Sequence, residues 1–337
     1  MIKNFLFIFC YLWLPNSIVH SAPPKVVKIL SWWSYFDPAW VRSEIKNTCK
    51  VDLAVQSYKD ANEFSKSFDL SNYDIAIYEL SQFKEVEKQL PARETRNHLL
   101  QKNSYQPFAQ TIQDNFIKDQ GTAFFFIANT VFLYNPQNVM LDPQDSMQTI
   151  IKKLGEKNSH PFIILDDAVI INSLVVQETS HYMTTKYFKK VFNYPNLIVS
   201  NDFIDYRNLG VFFTWSGSAI YHYELAKKQG VKLKIITIPR YSYATGDLVS
   251  LFSDSKEARC VAQLICSRNF LQELQKNNFY YLPFKKHANI LHPTYTLLEK
   301  HFVKDLMLKK TKWLLPSKEE LEQSILSWEK IILDYGF

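Results

Sequence analysis

Strand-like and helix-like segments alternate along nearly the whole chain, and that alternation is what most limits the fold. Val26 to Ser31 reads as a buried strand. Asp37-Pro38 then opens a helix, because Asp caps and Pro suits a first turn, and Trp40, Val41 and Ile45 give it an apolar face. Val51 to Val55 predicts a second strand. Tyr73 to Ile77 predicts a third, followed by a helix carrying Leu80, Phe83, Val86 and Leu90. The rhythm resumes with a helix at Asp145 to Leu154, a strand at Phe162 to Leu165 and helices from Asp167 and Thr184. A strand at Val211 to Trp215, a helix at Ser218 to Lys228 and a strand at Leu233 to Ile238 complete it. Such alternation predicts α/β layers in which a mixed, mostly parallel sheet is flanked by helices.

Between the two runs lie back-to-back strands, Ala123 to Ile127 and Thr130 to Tyr134, placed to carry the chain from one half to the other. The polar segment Arg240 to Gly246 is the expected return. A chain of 337 residues exceeds one simple core and predicts two domains. Two late helices carry start signals: Asp254 with Glu257, and Ser317 with Glu320, each spaced as a capping box. The last helix has its stripe at Leu321, Ile325, Trp328 and Ile332.

The N-terminus reads as an export signal. Lys3 precedes the apolar stretch Phe5 to Leu14, Pro15 breaks it, and Val19-His20-Ser21 offers small residues for cleavage after Ser21. That stretch is short for a membrane span, so residues 1–21 are expected to be a removed signal peptide, with an uncleaved anchor as the alternative. The formal net charge of +6 is mild for the size and shows no dense basic run, which argues against nucleic acid as a partner. Cys49, Cys260 and Cys266 remain after cleavage. The last two share one predicted helix and stand roughly 9 Å apart at helical rise, too far to bridge. Buried free thiols are expected, with a bridge from Cys49 as the alternative, and no zinc pattern is present.

Enzymatic motifs are missing. The seven glycines form neither G-x-G-x-x-G nor a P-loop, and Gly217-Ser218 does not complete G-x-S-x-G. The eight histidines include no H-E-x-x-H pair, and His222 reads as a helix surface residue. No catalytic residue, cofactor or resident metal is expected.

Six segments, in order, resemble the periplasmic spermidine/putrescine-binding proteins of ABC transporters. They are Ser31-Trp32-Trp33-Ser34-Tyr35-Phe36-Asp37-Pro38, Tyr73-Asp74-Ile75-Ala76-Ile77, the paired strands up to Tyr134-Asn135, Leu165-Asp166-Asp167-Ala168, Trp215-Ser216-Gly217-Ser218-Ala219 and Gly246-Asp247-Leu248. The resemblance implies a two-lobed fold of the second periplasmic-binding class, with the ligand in the interlobe cleft. Lobe one would be 22–128 plus 247–292, and lobe two 129–246 plus 293–337. It also implies a small cationic ligand, permease subunits at the membrane as partners, a periplasmic location and a monomer.

A polyamine needs carboxylates for its ammonium groups and rings for its methylenes. On the matching positions Trp33, Phe36, Trp215 and Tyr281 would supply walls, Asp167 and Asp247 would grip ammonium groups from opposite lobes, and Ser34, Ser216 and Ser218 would add hydrogen bonds. The sequence departs from the family at Ile170, where a Glu is usual, and at Thr245, where a Trp is usual. Glu79 and Ser81 replace a hydroxyl residue and a Tyr, and Glu79 restores a charge. Alternatives within the same fold are a thiamine-like cation or ferric ion, the latter because Tyr280-Tyr281 is similar to the adjacent tyrosines of iron receptors. A non-transport sensor and an exported hydrolase are the other classes.

Overall fold

In chain order the strands are β1 (Lys25–Trp32), β2 (Val51–Tyr58), β3 (Ile75–Glu79), β4 (Thr122–Tyr134), β5 (Phe162–Ile164), β6 (Leu197–Val199), β7 (Val211–Trp215), β8 (Lys234–Ile236), β9 (Tyr243–Leu251) and β10 (Lys312–Trp313). The helices are α1 (Ala39–Cys49), α2 (Phe83–Val86), α3 (Pro107–Ile112), α4 (Met147–Glu156), α5 (Ala168–Thr179), α6 (Thr185–Val191), α7 (Ser216–Lys228), α8 (Lys256–Ile265), α9 (Arg268–Asn278), α10 (Pro293–Met307) and α11 (Lys318–Tyr335). These come from a computed structural model that describes residues 25–32, 35–59, 63–64, 69–91, 105–118, 121–156, 160–203, 205–284, 293–308 and 310–337. The expected leader, 1–21, and the expected wall residues Trp33 and Ser34 lie outside the described residues.

β4 organises the fold. All of its 13 residues are buried, the polar Thr122, Asn129 and Thr130 included, as in a strand covered on both faces. The sequence reads two strands here; the structure has one, with a bulge in its pairing to β9 between Phe124 and Phe126. Its first part, Thr122 to Asn129, pairs antiparallel with β9, and Thr130 to Tyr134 pairs antiparallel with β7. One strand therefore belongs to two halves. The sheet order is β2-β1-β3-β9-β4-β7-β5-β6, with β10 on β9 and β8 on β4. Pairs β1–β2, β1–β3, β5–β6 and β5–β7 are parallel, while the pairs at the crossing are antiparallel.

Each half has its own apolar core. The first gathers Ile29, Ile75, Ile77, Phe124, Leu248, Val261 and Leu271, and it includes Leu298 and Phe302 of α10. In the second half, strand alternation sends Phe132 and Phe213 to one face with Phe188 and Trp328, and Leu133 and Phe212 to the other with Ala219 and Ala226.

Local signals fix the helix starts. Asp167 caps α5, its Oδ1 accepting from the Val169 and Ile170 amides at 3.0 Å. Ser317 and Glu320 complete the capping box of α11. At α8 the cap is Ser255 rather than the expected Asp254, and Asp254 pairs with Arg259 instead. At α1 Pro38 occupies the cap position and no side chain caps the helix, contrary to the role expected for Asp37. The thiol expectation is overturned for two of three cysteines: Cys49 and Cys260 form a disulfide, Cα to Cα 5.7 Å, and Cys266 is free. The bridge depends on α1 packing beside α8, which no spacing within α8 reveals.

Candidate functional site

The ends of β1 and β3, the middle of β9 and the cap of α5 bring three carboxylates into one neighbourhood. Glu79 ends β3 and Asp247 lies directly opposite it in the antiparallel ladder. Like charges so placed repel. Glu79 is buried, and Oγ1–H of Thr245 donates to its Oε1 at 2.8 Å. Asp167 approaches from α5, in the other half. Burial first, and the Asp167 carboxylate next, hold the Glu79 carboxyl well above the usual range, with the Thr245 hydroxyl opposing the rise.

Asp247 is half-buried and doubly held. Nε1–H of Trp32 donates to Oδ1 at 3.1 Å, and the Tyr35 hydroxyl donates to Oδ2 in a short bond. Burial still pushes its carboxyl up to about 7 against those two donors. Tyr58 stands beneath both acids. Its ring lies 4.6 Å from that of Trp32, and burial, Asp247 and Glu79 all push its phenol up. Tyr280 closes another side: burial, then Asp247, raises its hydroxyl to about 12, while Ser218 opposes the rise. Among the described residues, neither Glu79 nor Asp247 has a Lys or Arg within ion-pair distance. The arrangement is rich in acceptors and rings, and among the described residues no cation pairs with these two acids.

The expected site residues divide. Glu79, Asp167 and Asp247 come together, and Ser218 reaches the group through Tyr280. Trp215 is half-buried at the end of β7, on the second core. Ser216 is buried, its Oγ accepting from the Asn129 amide at 3.3 Å. Two wall assignments are corrected. Phe36 is buried in the first core, and so is Tyr281, whose ring stacks on Phe302 at 4.8 Å. Their neighbours Tyr35 and Tyr280 face the acids instead. Trp32, Tyr35, Tyr58 and Tyr280 are the residues that sequence reasoning missed. A family pattern of adjacent aromatics cannot choose between neighbours, and a shift of one residue turns a side chain to the opposite face of a strand.

The departures also find places. Ile170 is core, and Asn172 accepts the Met183 amide at 2.9 Å, so neither replaces the family's Glu. Thr245, which replaces a ring, orients Glu79. Asp166, the other acid of the Asp-Asp pair, accepts Nε1–H of Trp328 at 2.7 Å and ties α11 to this end of the second half.

No protein-family model and no curated protein sequence matches the chain. Solved structures do. The spermidine/putrescine ABC transporter substrate-binding protein PotD of Streptococcus pneumoniae superposes with a TM-score of 0.61 at 13% identity, covering 93% of this chain and 98% of that one. The GacH receptor of Streptomyces glaucescens, known in complex with acarbose, gives 0.64 at 11% over 93% and 98%. Iron-bound HitA of Pseudomonas aeruginosa gives 0.58 at 10% over 93% and 100%. The chain has the two-lobed periplasmic binding protein fold. Near-complete coverage in both directions accounts for the crossing strands β4 and β9 and for the paired cores as parts of this fold. The resemblance to the spermidine/putrescine-binding proteins thus holds at the level of architecture. Because the three neighbours differ in ligand, the two-lobed fold leaves ligand identity to the residues of the site.

Proposed function

We propose that the chain is the extracytoplasmic solute-binding component of an ABC transporter, and that it captures a polyamine-like cation of the putrescine or spermidine kind between its lobes. The observation that carries this reading is the convergence of Glu79 and Asp247 from one half with Asp167 from the other, with no basic partner to the first two among the described residues. Carboxylates that repel one another in the empty site attract an ammonium group placed among them. Trp32, Tyr58 and Tyr280 supply ring surface for the methylenes and, face-on, for the charge, each such contact being worth about 0.5–2 kcal/mol.

In this reading the protein is a receptor rather than an enzyme, its partners are permease subunits, and its location is the periplasm after removal of the leader. The Cys49–Cys260 disulfide supports an oxidising compartment. Among the described residues no helix is long and apolar enough to cross a membrane. Lobe one comprises β1–β3, α1–α3, the first part of β4, β9 from Asp247 onwards and α8–α10. Lobe two comprises the rest, including α11. This puts α10 with lobe one on the packing of Leu298 and Phe302.

The test is thermal denaturation of the mature protein with putrescine and with spermidine. A rise in Tm that saturates with ligand is expected; at a hundredfold excess over Kd the stabilisation is about 2.7 kcal/mol. No rise at millimolar amine would end the polyamine assignment and leave the fold untouched.

A further inference from the structure

Glu79 is the acid that the family pattern does not call for, and it is the most deeply buried of the three. Its surroundings can be named element by element. From β9, Asp247 stands opposite in the ladder and Thr245 donates a hydrogen bond. From α5, Asp167 acts on it across the gap between the lobes. From β2 comes the neutral phenol of Tyr58, whose own proton is engaged on the Ile77 carbonyl at 2.7 Å. From the turn after β1, Tyr35 gives its proton to Asp247. No described Lys, Arg or His forms an ion pair with Glu79 or Asp247. Buried Glu79, opposite half-buried Asp247 and acted on by a third acid, is costly to keep charged with no described cation beside it, and a proton removes that cost.

We propose that capture at this site, read as above, exchanges one proton for one ammonium group that carries N–H bonds, with Glu79 as the group that gives the proton up. The step balances simply. The Glu79 carboxyl loses H⁺ to solvent, and an R–NH₃⁺ group donates hydrogen bonds to the Glu79, Asp247 and Asp167 carboxylates. No covalent bond to carbon forms or breaks. The same geometry sets the substrate class. A primary ammonium replaces the lost proton with N–H donors. A quaternary ammonium has none, so it would leave buried carboxylate oxygens without partners, which costs more than ring contact returns. The site therefore takes protonated amines and rejects their fully methylated counterparts, and its affinity falls as the medium is acidified.

Titration calorimetry of the full mature protein tests this with putrescine in phosphate and in Tris, two buffers of very different ionisation heat, at pH 6 and pH 8. Proton release at pH 6 is expected, falling at pH 8 and smaller by about one proton per ligand in Glu79→Gln, the remainder coming from Asp247, whose own carboxyl stands at about 7. The quaternary analogue of putrescine, with three methyl groups on each nitrogen, is expected to bind at least a hundredfold more weakly. Heats that do not depend on buffer overturn the exchange and leave the polyamine reading standing; no heat with putrescine at any pH overturns both. Equal binding of the quaternary analogue overturns the substrate class. A second measurement uses no ligand. In ¹³C-glutamate-labelled protein one carboxyl is expected to titrate well above the others and to vanish in Glu79→Gln, and a spectrum in which every glutamate titrates normally overturns the proposal even if the variant fails to fold.

Discussion

Asp247 keeps two good donors, Trp32 and Tyr35, and is still driven towards neutrality, because two hydrogen bonds do not replace the water that burial removes. A carboxyl whose folded value is about 7 stabilises the protein below the ordinary carboxylate range, and that stability is lost as pH rises through 7. The ligand-free wild type is therefore expected to lose stability relative to Asp247→Asn between pH 4 and pH 8. Chemical denaturation across that window measures it, and a flat difference would refute it. Buried His222, held below its usual value by burial, works in the opposite direction but cancels in the comparison. Of the acids of this candidate site, Glu79 ends a strand and Asp167 caps a helix that the sequence predicts, whereas Asp247 lies in the middle of β9, which the sequence reads only as a polar return, and it is named from the family resemblance alone. The rings were not legible. Trp32 and Tyr35 sit one residue before the expected Trp33 and Phe36, and Tyr280 one before Tyr281. Only the packed strand ends decide which neighbour turns inwards. Thr245 reads as a loss in sequence and acts as the donor that orients Glu79.

Elements were legible where their signals are local and obscure where they depend on packing. The Ser317–Glu320 box is local, and Ser317→Ala is expected to cost about 1 kcal/mol in denaturant unfolding. The Cys49–Cys260 bridge joins residues 211 apart through the contact of α1 with α8. Its removal in Cys49→Ser is expected to cost about 2–5 kcal/mol, whereas Cys266→Ser, which breaks no bridge, should cost far less. Equal costs for the two substitutions would count against the pairing. The start of α7 shows the same dependence. A Cβ on Gly217 would meet the Tyr280 ring at 2.5 Å and the Asn278 carbonyl oxygen at 2.9 Å. That residue is glycine because the Tyr280 segment lies against the helix end. Gly217→Ala is expected to destabilise the fold by about 1–3 kcal/mol and to weaken amine binding through displaced Tyr280. Full affinity in Gly217→Ala would remove Tyr280 from the site.

Across the whole molecule the same charges act on the relation between the lobes. On the proposed reading Glu79 belongs to one half and Asp167 to the other, so their repulsion would push the halves apart at any pH where both are ionised, and an ammonium group between them would pull the halves together. A ligand can shift such an equilibrium only by binding one state better than the other, and here that difference is the number of opposing carboxylates it touches. Removing one charge should therefore imitate part of the ligand's effect. At pH 8 and without ligand, Glu79→Gln is expected to have a smaller radius of gyration than the wild type in small-angle X-ray scattering. On acidification, once Glu79 carries its proton, the two should coincide. Putrescine should contract the wild type at pH 8 and change the variant much less. Such a contraction changes the relation of the halves and not their secondary structure, so it should leave far-ultraviolet circular dichroism unchanged. Identical radii at every pH would mean that repulsion between Glu79 and Asp167 does not set the opening of the cleft.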